Sequence, residues 1–306
     1  ANPKGIRNLV MMRTLFNDGY AGLPSNGLPK TLANISLPEV KTAYKRLVKP
    51  QGSTLIVVGH VSMAQLKTEL NRVFSDWKGV SDSQSRPLSP QKRKGAIHWI
   101  DFPGSTQSAV AMVRRVSGQA TPSKKLQDEL FNLVFGGKFT SRLNLNLRED
   151  KGYTYGAYSG LYRYKQSGMH FLGGMIKGDQ TTAAIKEMIS EIDGISSVRP
   201  IQLDELNKVR GGELKGYPAQ FEERSSVLGL LSETRREGYQ PNWLNLWMTK
   251  LNEVTLEQTQ KSALQISKSS EYSIIIAGDK AKHLDSIKAL KRPIFFYTPD
   301  GDLVSS

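Results

Sequence analysis

Cysteine is absent from the 306 residues of this chain. Its absence excludes disulfide bonds, thiolate catalysis and zinc sites built from cysteine. No stretch of about 18 consecutive apolar residues occurs, so the sequence contains no candidate transmembrane helix. Histidine is scarce, and none of the four histidines has a second histidine within five residues. We therefore expect no residue of this chain to bind a metal; the four are His60, His98, His170 and His283.

Basic residues outnumber acidic residues, 42 to 28, which gives a formal net charge of +14. Such a charge suits nucleic acid, an anionic membrane surface or acidic peptides as a partner. However, the basic residues are spread along the chain, and their one run, "QKRK" at 91–94, lies in a stretch rich in Ser, Pro and Gln. Because no basic recognition helix accompanies it, we expect no nucleic-acid binding, and a solvated basic surface is the plain alternative.

Two parts of the sequence repeat each other at a constant offset. Residues 19–60 resemble residues 238–279, 219 positions later, with the same Gly-Tyr pair at the start and the same apolar run before a glycine at the end. In each copy a Ser or Thr followed by an acidic residue predicts the start of a helix. The apolar runs at 54–59 and 272–278 predict a buried strand in each copy.

The two copies are preceded by unequal lengths of sequence, and this asymmetry predicts the domain organisation. We expect residues 1–80 to be the C-terminal part of a first unit, 81–95 to be a linker and 96–306 to be a complete second unit. The chain would then be the C-terminal part of a longer two-unit protein. A naturally short first unit is the alternative, although it would expose the edges of its sheet.

The second unit shows strands and helices in turn. The pattern predicts two strands around a Pro-Gly turn at 103–104, helical segments over 123–137 and 141–152, a pair of strands joined near 165–168, a helix over 181–195 and a helical region over 202–238 broken at Gly211–Gly212 and at Pro218. Antiparallel hairpins with helices on one side predict an α+β fold. The expected architecture is a pair of duplicated two-layer units of antiparallel sheet packed with helices, the first of them truncated.

The segment "GGKFTSRLNLNLREDKGYTYGA" at 136–157, preceded by "DFPGSTQS" at 101–108, resembles the second domain of the pitrilysin/insulinase family of zinc metallopeptidases. The internal duplication matches the paired homologous domains of that family. Its first domain carries an H-x-x-E-H motif whose histidines bind zinc together with a distant Glu, while the inner Glu is the general base. This chain lacks the motif, so the resemblance implies zinc in the full-length protein or in a partner chain.

Arg148 and Tyr155, seven residues apart, match the Arg and Tyr with which the second domain of that family reaches the zinc site. A phenol O–H can donate a hydrogen bond to the carbonyl oxygen that becomes negative during amide hydrolysis, and a guanidinium can anchor substrate carbonyls. The structural alternative is that Arg148 pairs with Glu149 and Asp150 beside it. Tyr155 would then be an ordinary aromatic residue of a strand.

Four more residues of this segment are candidates for substrate binding: Gly136, Gly137, Arg142 and Tyr153. The two glycines are also consistent with a turn that permits a close approach of the backbone. Arg142 is equally consistent with a structural guanidinium that ties a helix to the sheet.

The expected function is therefore that of the C-terminal, substrate-binding and transition-state-stabilising portion of a zinc-dependent endopeptidase. Its partners would be peptide substrates and a zinc-bearing first domain or subunit. One alternative is a non-catalytic partner subunit of a heteromeric zinc peptidase; another is a basic peptide-binding module. Analogy with bacterial relatives favours the cell envelope or periplasm.

Overall fold

The computed structural model describes residues 2–17, 19–83 and 87–304. The chain divides into two compact units, and each is built from separate stretches of sequence. The sheet unit comprises Ala1–Pro24, Leu88–Gly212 and Thr249–Ser306, whereas the helical unit comprises Ser25–Pro87 and Glu213–Met248. None of the helices in the described part of the chain is long and apolar enough to cross a membrane.

Six strands form one sheet in the sheet unit. They are β1 (Ile97–Asp101), β2 (Gln107–Ser117), β3 (Thr154–Arg163), β4 (Ser167–Lys177), β5 (Ser273–Gly278) and β6 (Ile294–Tyr297), in the spatial order β3-β4-β2-β5-β1-β6. The strand pair predicted around residues 165–168 is the antiparallel pair β3 and β4. The sheet with its helices confirms the predicted α+β class.

The sheet is mixed rather than purely antiparallel. β1 runs parallel to both β5 and β6, and β5 lies between β1 and β2. The two strands that flank the Pro-Gly turn are therefore separated by a third strand instead of pairing with each other. Every residue of β5 is buried, as expected for an apolar strand in the middle of a sheet.

Helices account for most of the remaining described chain. They are α1 (Pro3–Phe16), α2 (Pro29–Leu32), α3 (Leu37–Leu47), α4 (Met63–Phe74), α5 (Pro122–Asn132), α6 (Arg142–Asn144), α7 (Thr181–Ile195), α8 (Leu203–Gly216), α9 (Arg224–Glu237), α10 (Trp243–Asn252), α11 (Leu256–Ile266) and α12 (Lys280–Lys288). Wider π-helical turns, Leu133–Gly137 and Leu145–Asp150, follow α5 and α6. The predicted break at Gly211–Gly212 is wrong, because α8 continues through both glycines; it ends at Gly216, two residues before Pro218.

The helix α1 packs on one face of the sheet, although it belongs to the segment predicted as the first unit. Asn2 starts the helix, and its side chain accepts a hydrogen bond from the Gly5 N–H at 2.7 Å. The buried residues of α1 form one core cluster with Ile100 of β1, Ala109 of β2 and Ile275 of β5. The sheet therefore carries a helix on the face opposite α5 and α7, which the two-layer prediction did not include.

Two further observations bear on the predicted linker at 81–95. Residues 84–86 lie outside the described part of the chain, whereas its second half is fastened to the sheet unit. There Arg115 of β2 donates a hydrogen bond to the backbone oxygen of Ser89 at 2.8 Å. The division by homology at residues 80 and 96 stays a prediction, since the compact units follow contacts and not repeats.

The first copy of the repeat forms its helices but not its strand. Ser36 caps α3 together with Glu39, as predicted, and α4 follows. The run at 54–59 lies outside any strand, and Leu55 and Val57 are exposed, so the prediction of a buried strand there is wrong. Its counterpart β5 is held between two neighbouring strands, and residues 54–59 have no such neighbours among the described residues of the helical unit.

The helical unit also exposes its apolar side chains. Between Pro29 and Ser83, all of which are described, no residue is buried. The exposed apolar side chains of α3 and α4 include Leu37, Tyr44 and Met63. The helices α3 and α4 are therefore amphipathic and capped at their N-termini, and each exposes apolar side chains of the kind that normally pack in a protein core.

Candidate functional site

Arg148 lies in the π-helical turn Leu145–Asp150, which ends at the glycine predicted to stop it. Gly152 has the left-handed φ of 63°, and its N–H donates to the Arg148 oxygen at 3.2 Å. The next N–H, that of Tyr153, donates to the Leu147 oxygen at 2.9 Å. Wide π-type turns are frequent at functional sites, and this one places Arg148 next to the start of β3.

The guanidinium of Arg148 lies against an aromatic ring. Its central carbon is 4.3 Å from the centroid of the Phe139 ring, and the side chain is 33% exposed. Its Nε is 3.5 Å from Glu149, so the neighbouring carboxylate of the structural alternative is in reach. This exposed pair contributes little to stability. The Nη1 nitrogen is buried and has no hydrogen-bond partner among the described residues.

Tyr155 lies in a β-bulge at the start of β3. Pairing with β4 shifts register between Thr154 and Ala157, and both of these residues are buried. Tyr155 points from the opposite face of the strand and is 86% exposed. The Thr154 hydroxyl fixes the bulge, because it donates to the Met175 oxygen at 2.6 Å and accepts the Gly156 N–H at 3.1 Å. Bulges of this kind commonly aim a side chain near an active site.

The backbone between Arg148 and Tyr155 is hydrogen-bonded both to the π-helical turn and to the sheet. The Tyr153 oxygen accepts the N–H of Lys177 at the end of β4 at 2.9 Å, so its backbone joins the π-helical turn to the sheet. The side chain of Tyr153 is half-buried. Arg148 and Tyr155 are therefore both accessible and both mounted on fixed backbone, as a catalytic pair requires.

Gly136 forms the close approach that the sequence suggested, whereas Gly137 lies against Asn132 of its own helical segment. A Cβ on Gly136 would lie 2.8 Å from the Cβ and 2.9 Å from the backbone nitrogen of Ser159 in β3. The neighbouring Asn132 accepts a hydrogen bond from the Ser159 hydroxyl at 2.7 Å. Gly136 thus brings the π-helical turn after α5 against the edge strand, and substrate contact by either glycine stays a prediction.

Replacing Gly136 by Ala is expected to lower the free energy of unfolding by about 1–3 kcal/mol, as overpacking does. Urea denaturation would measure the loss. Gly156→Ala is the matched control, since the nearest atom to its Cβ would be 3.9 Å away. Equal stability of the two variants would show that the close approach to Ser159 is not required.

The guanidinium of Arg142 forms an ion pair and hydrogen bonds with other residues of the protein. Its Nε donates to Glu205 Oε1 at 2.7 Å, and its Nη2 donates to the Pro200 oxygen at 3.0 Å. Burial by itself raises the pKa of Glu205, but the hydrogen bonds from Arg142 and from the Gln202 N–H outweigh it and hold the pKa below its usual value. The guanidinium thus joins α6 to the start of α8, not to the sheet, and these bonds leave little of it for a substrate.

Sequence reasoning missed three asparagines around this segment. Asn132, Asn144 and Asn146 each join the helical part of the segment to a neighbouring element. Asn146, for example, donates to Glu191 of α7 at 2.7 Å. The sequence did contain a sign of the role of Asn144. This polar residue lies between Leu143 and Leu147, which are buried, and a polar side chain in such a place needs a hydrogen-bond partner.

The structure assigns the histidines no metal. Among the described residues, no three His, Asp or Glu side chains come together as a metal site. His170 is fully buried with its Nδ1 2.5 Å from the Tyr272 hydroxyl, and burial lowers its pKa to about 3. His98, 2.9 Å from Tyr297, has its pKa lowered to about 4, chiefly by burial. These residues do not fit a zinc ion.

Comparison with known proteins identifies the family. A family model described as the peptidase M16 inactive domain matches residues 34–211, more than half of the chain. The chain therefore belongs to the peptidase M16 family. This confirms the resemblance to zinc metallopeptidases of the pitrilysin/insulinase type.

Several relatives carry the name zinc protease. An uncharacterised zinc protease of Streptomyces coelicolor is 21% identical over 225 residues, which are 72% of this chain and 47% of that protein. The uncharacterised zinc protease YmxG of Bacillus subtilis is 23% identical over 201 residues, 64% of this chain and 48% of that protein. The chain thus spans about half the length of these two relatives.

Solved structures share the fold. The peptidase M16 inactive domain from Pseudomonas fluorescens has a TM-score of 0.80 and 22% identity, over 91% of this chain and 66% of that one. The first half of the periplasmic protease PqqL from Escherichia coli has a TM-score of 0.62 and 16% identity, over 94% of this chain and 62% of that one. At these identities the likeness establishes the fold alone.

Proposed function

We propose that this chain supplies the substrate-binding and transition-state-stabilising half of a zinc-dependent endopeptidase. The zinc and its H-x-x-E-H motif would belong to a first domain of the same protein or to a partner chain. The observation that carries the proposal is the presentation of Tyr155. Tyr155 lies in a bulge of β3 and is 86% exposed, seven residues after Arg148, whose side chain is 33% exposed.

The chemistry follows from the two side chains. As a peptide carbonyl is attacked, negative charge builds up on its oxygen, and a phenol O–H can donate a hydrogen bond to that oxygen. Tyr155 provides this donor without introducing a charge of its own. Arg148, whose guanidinium has several donors in a plane, binds carbonyl oxygens of the peptide and holds the scissile bond in place.

The helical unit supports a role beside a second domain. We propose that the exposed apolar faces of α3 and α4, which the sequence assigns to the C-terminal part of the first unit, pack against the rest of that zinc-bearing unit, because faces of this kind normally mark an interface. Burial of side chains such as Leu37 and Met63 there would stabilise the association. The cell envelope or periplasm stays the proposed compartment.

Reconstitution tests the proposal. A zinc-bearing M16 domain from the same genome is mixed with this chain, and cleavage of a fluorogenic peptide mixture is followed with and without a chelator. We expect cleavage that needs both proteins and is lost with the chelator. A complex that forms but cleaves no faster than the zinc-bearing domain alone would overturn the proposal.

A further inference from the structure

We infer that Asn144 is a positioning residue that couples the placement of Arg148 to that of Tyr155. The inference rests on the proposed function of those two residues, which Asn144 serves through the backbone without touching either reacting group. Its side chain is 2% exposed and makes one hydrogen bond toward each of them. Neither the sequence motif nor the family match assigns this role.

The first bond fixes the bulge that presents Tyr155. The Ala157 N–H donates to Asn144 Oδ1 at 2.9 Å. β3 is the edge strand of the sheet, and β4 pairs with its other side. Without Asn144 the Ala157 N–H would be a buried donor with no partner, so the backbone two residues after Tyr155 would be free to shift toward another acceptor.

The second bond fixes the surface on which Arg148 rests. Asn144 Nδ2 donates to the Phe139 oxygen at 2.7 Å. The Phe139 ring is exposed, so its own packing does not hold it, and its backbone sets where it lies. The Arg148 guanidinium stands over that ring at 4.3 Å, in the range of a cation–π contact.

Only asparagine has the required groups at this length. One planar amide must accept from Ala157 and donate to Phe139 at the same time, so the orientation of the amide is fixed by its partners. Aspartate keeps the acceptor but loses the donor, and alanine loses both. Asn144 lies between two fully buried residues of the helical part of the segment, Leu143 and Leu147.

A double-mutant cycle in the reconstituted peptidase tests the coupling. Asn144→Ala is expected to lower kcat by about 10- to 100-fold, as misplacement of about 1 Å does. In the Tyr155→Phe background the same change should lower kcat by less than about threefold, because its effect passes through the phenol. An equally large factor in both backgrounds would overturn the inference, since a general structural effect multiplies in either.

Asn144→Asp separates the two bonds. This variant keeps the acceptor for Ala157 and loses the donor to Phe139, so KM should rise more than kcat falls, because Arg148 anchors the peptide. It also provides the test if Asn144→Ala does not fold. A fall in kcat with KM unchanged would contradict the assignment of the second bond to Arg148.

Asn132→Ala is the matched control. Asn132 also bonds to β3, through Ser159, but among the described hydrogen bonds it has none to Phe139 or Ala157. The Asn132→Ala variant should lose stability without the loss in kcat, and hydrogen exchange at the Ala157 amide should become faster only in Asn144→Ala.

The outcomes for the catalytic pair separate the inference from the proposed function. If Tyr155→Phe and Arg148→Ala leave cleavage unchanged, the proposed function fails and the inference with it. If they impair cleavage and Asn144→Ala does not, the inference alone fails.

Discussion

Tyr155→Phe is expected to lower kcat for peptide cleavage by about 10²–10³-fold, the cost of removing one oxyanion donor. The reaction is that of this chain reconstituted with a zinc-bearing M16 domain. KM should change little, because the hydrogen bond forms as charge develops on the carbonyl oxygen. Stability should stay within about 0.5 kcal/mol of the original, since the lost hydroxyl belongs to a side chain that is 86% exposed.

The neighbouring Tyr158 provides the matched control. It is also exposed, and it packs edge-on against Phe171 further along the same strand. Tyr158→Phe removes the same hydroxyl group from the same face and should cleave at the original rate. If both variants keep the original kcat, the phenol of Tyr155 is not a transition-state donor, and its exposure needs another explanation.

The free energy of unfolding is expected to fall steeply as the pH drops from 6.5 to 5. Burial depresses the pKa of His170 to about 3 and that of His98 to about 4. Between those values and the ordinary pKa of about 6.5 the unfolded chain binds protons that the folded chain does not. Stability is therefore complete above pH 6.5 and is lost as the pH falls, by about 4 kcal/mol at pH 5 for the two histidines together.

The environment of each ring explains why the folded protein keeps it neutral. Phe131 and Phe135 lie beside His170, whose Nδ1 is bonded to Tyr272, and the charge of Arg114 lowers its pKa further. Among the residues that the structure describes, no carboxylate is bonded to the ring to favour the charged form. For His98 the charge of Arg93 acts in the same direction as burial, while a hydrogen bond with the Arg93 backbone opposes both.

Urea denaturation at pH 7 and pH 5 measures the effect. His170→Gln, which can still bond to the Tyr272 hydroxyl, should show a smaller loss on acidification than the original protein. His60→Gln is the control, because His60 is exposed and has no buried environment to lose. An unchanged pH dependence in His170→Gln would show that this histidine does not cause the acid sensitivity.

Local sequence predicted the elements around the site well, because their signals are local. The glycine at 152 stops the helical segment, and the alternation after it forms β3. The bulge could not be predicted, since it is a property of pairing between β3 and β4 and leaves no mark on either strand alone. Tyr155 lies within that bulge, so the backbone that surrounds it became visible only in the structure.

Prediction failed where an element depends on a distant partner. The run at 54–59 is apolar like β5, yet a strand needs neighbours, and of these two runs only β5 has them among the described residues. Arg142 likewise could not be matched to Glu205, which is 63 residues away. At Gly211–Gly212 the local sequence predicted a break, but the rest of α8 keeps the helix continuous. The helix tolerates two weak helix formers, although each costs about 1 kcal/mol.

The position of α1 has a consequence for how this polypeptide withstands a protease. A single cut within 81–95 would separate α1 from the strands in sequence but not in space, because its side chains are packed among those of β1, β2 and β5. The nicked molecule should stay together and migrate as one species under native conditions. Removal of α1 would expose Ile100 and Ile275 to solvent, and the remaining protein should aggregate and be poorly soluble.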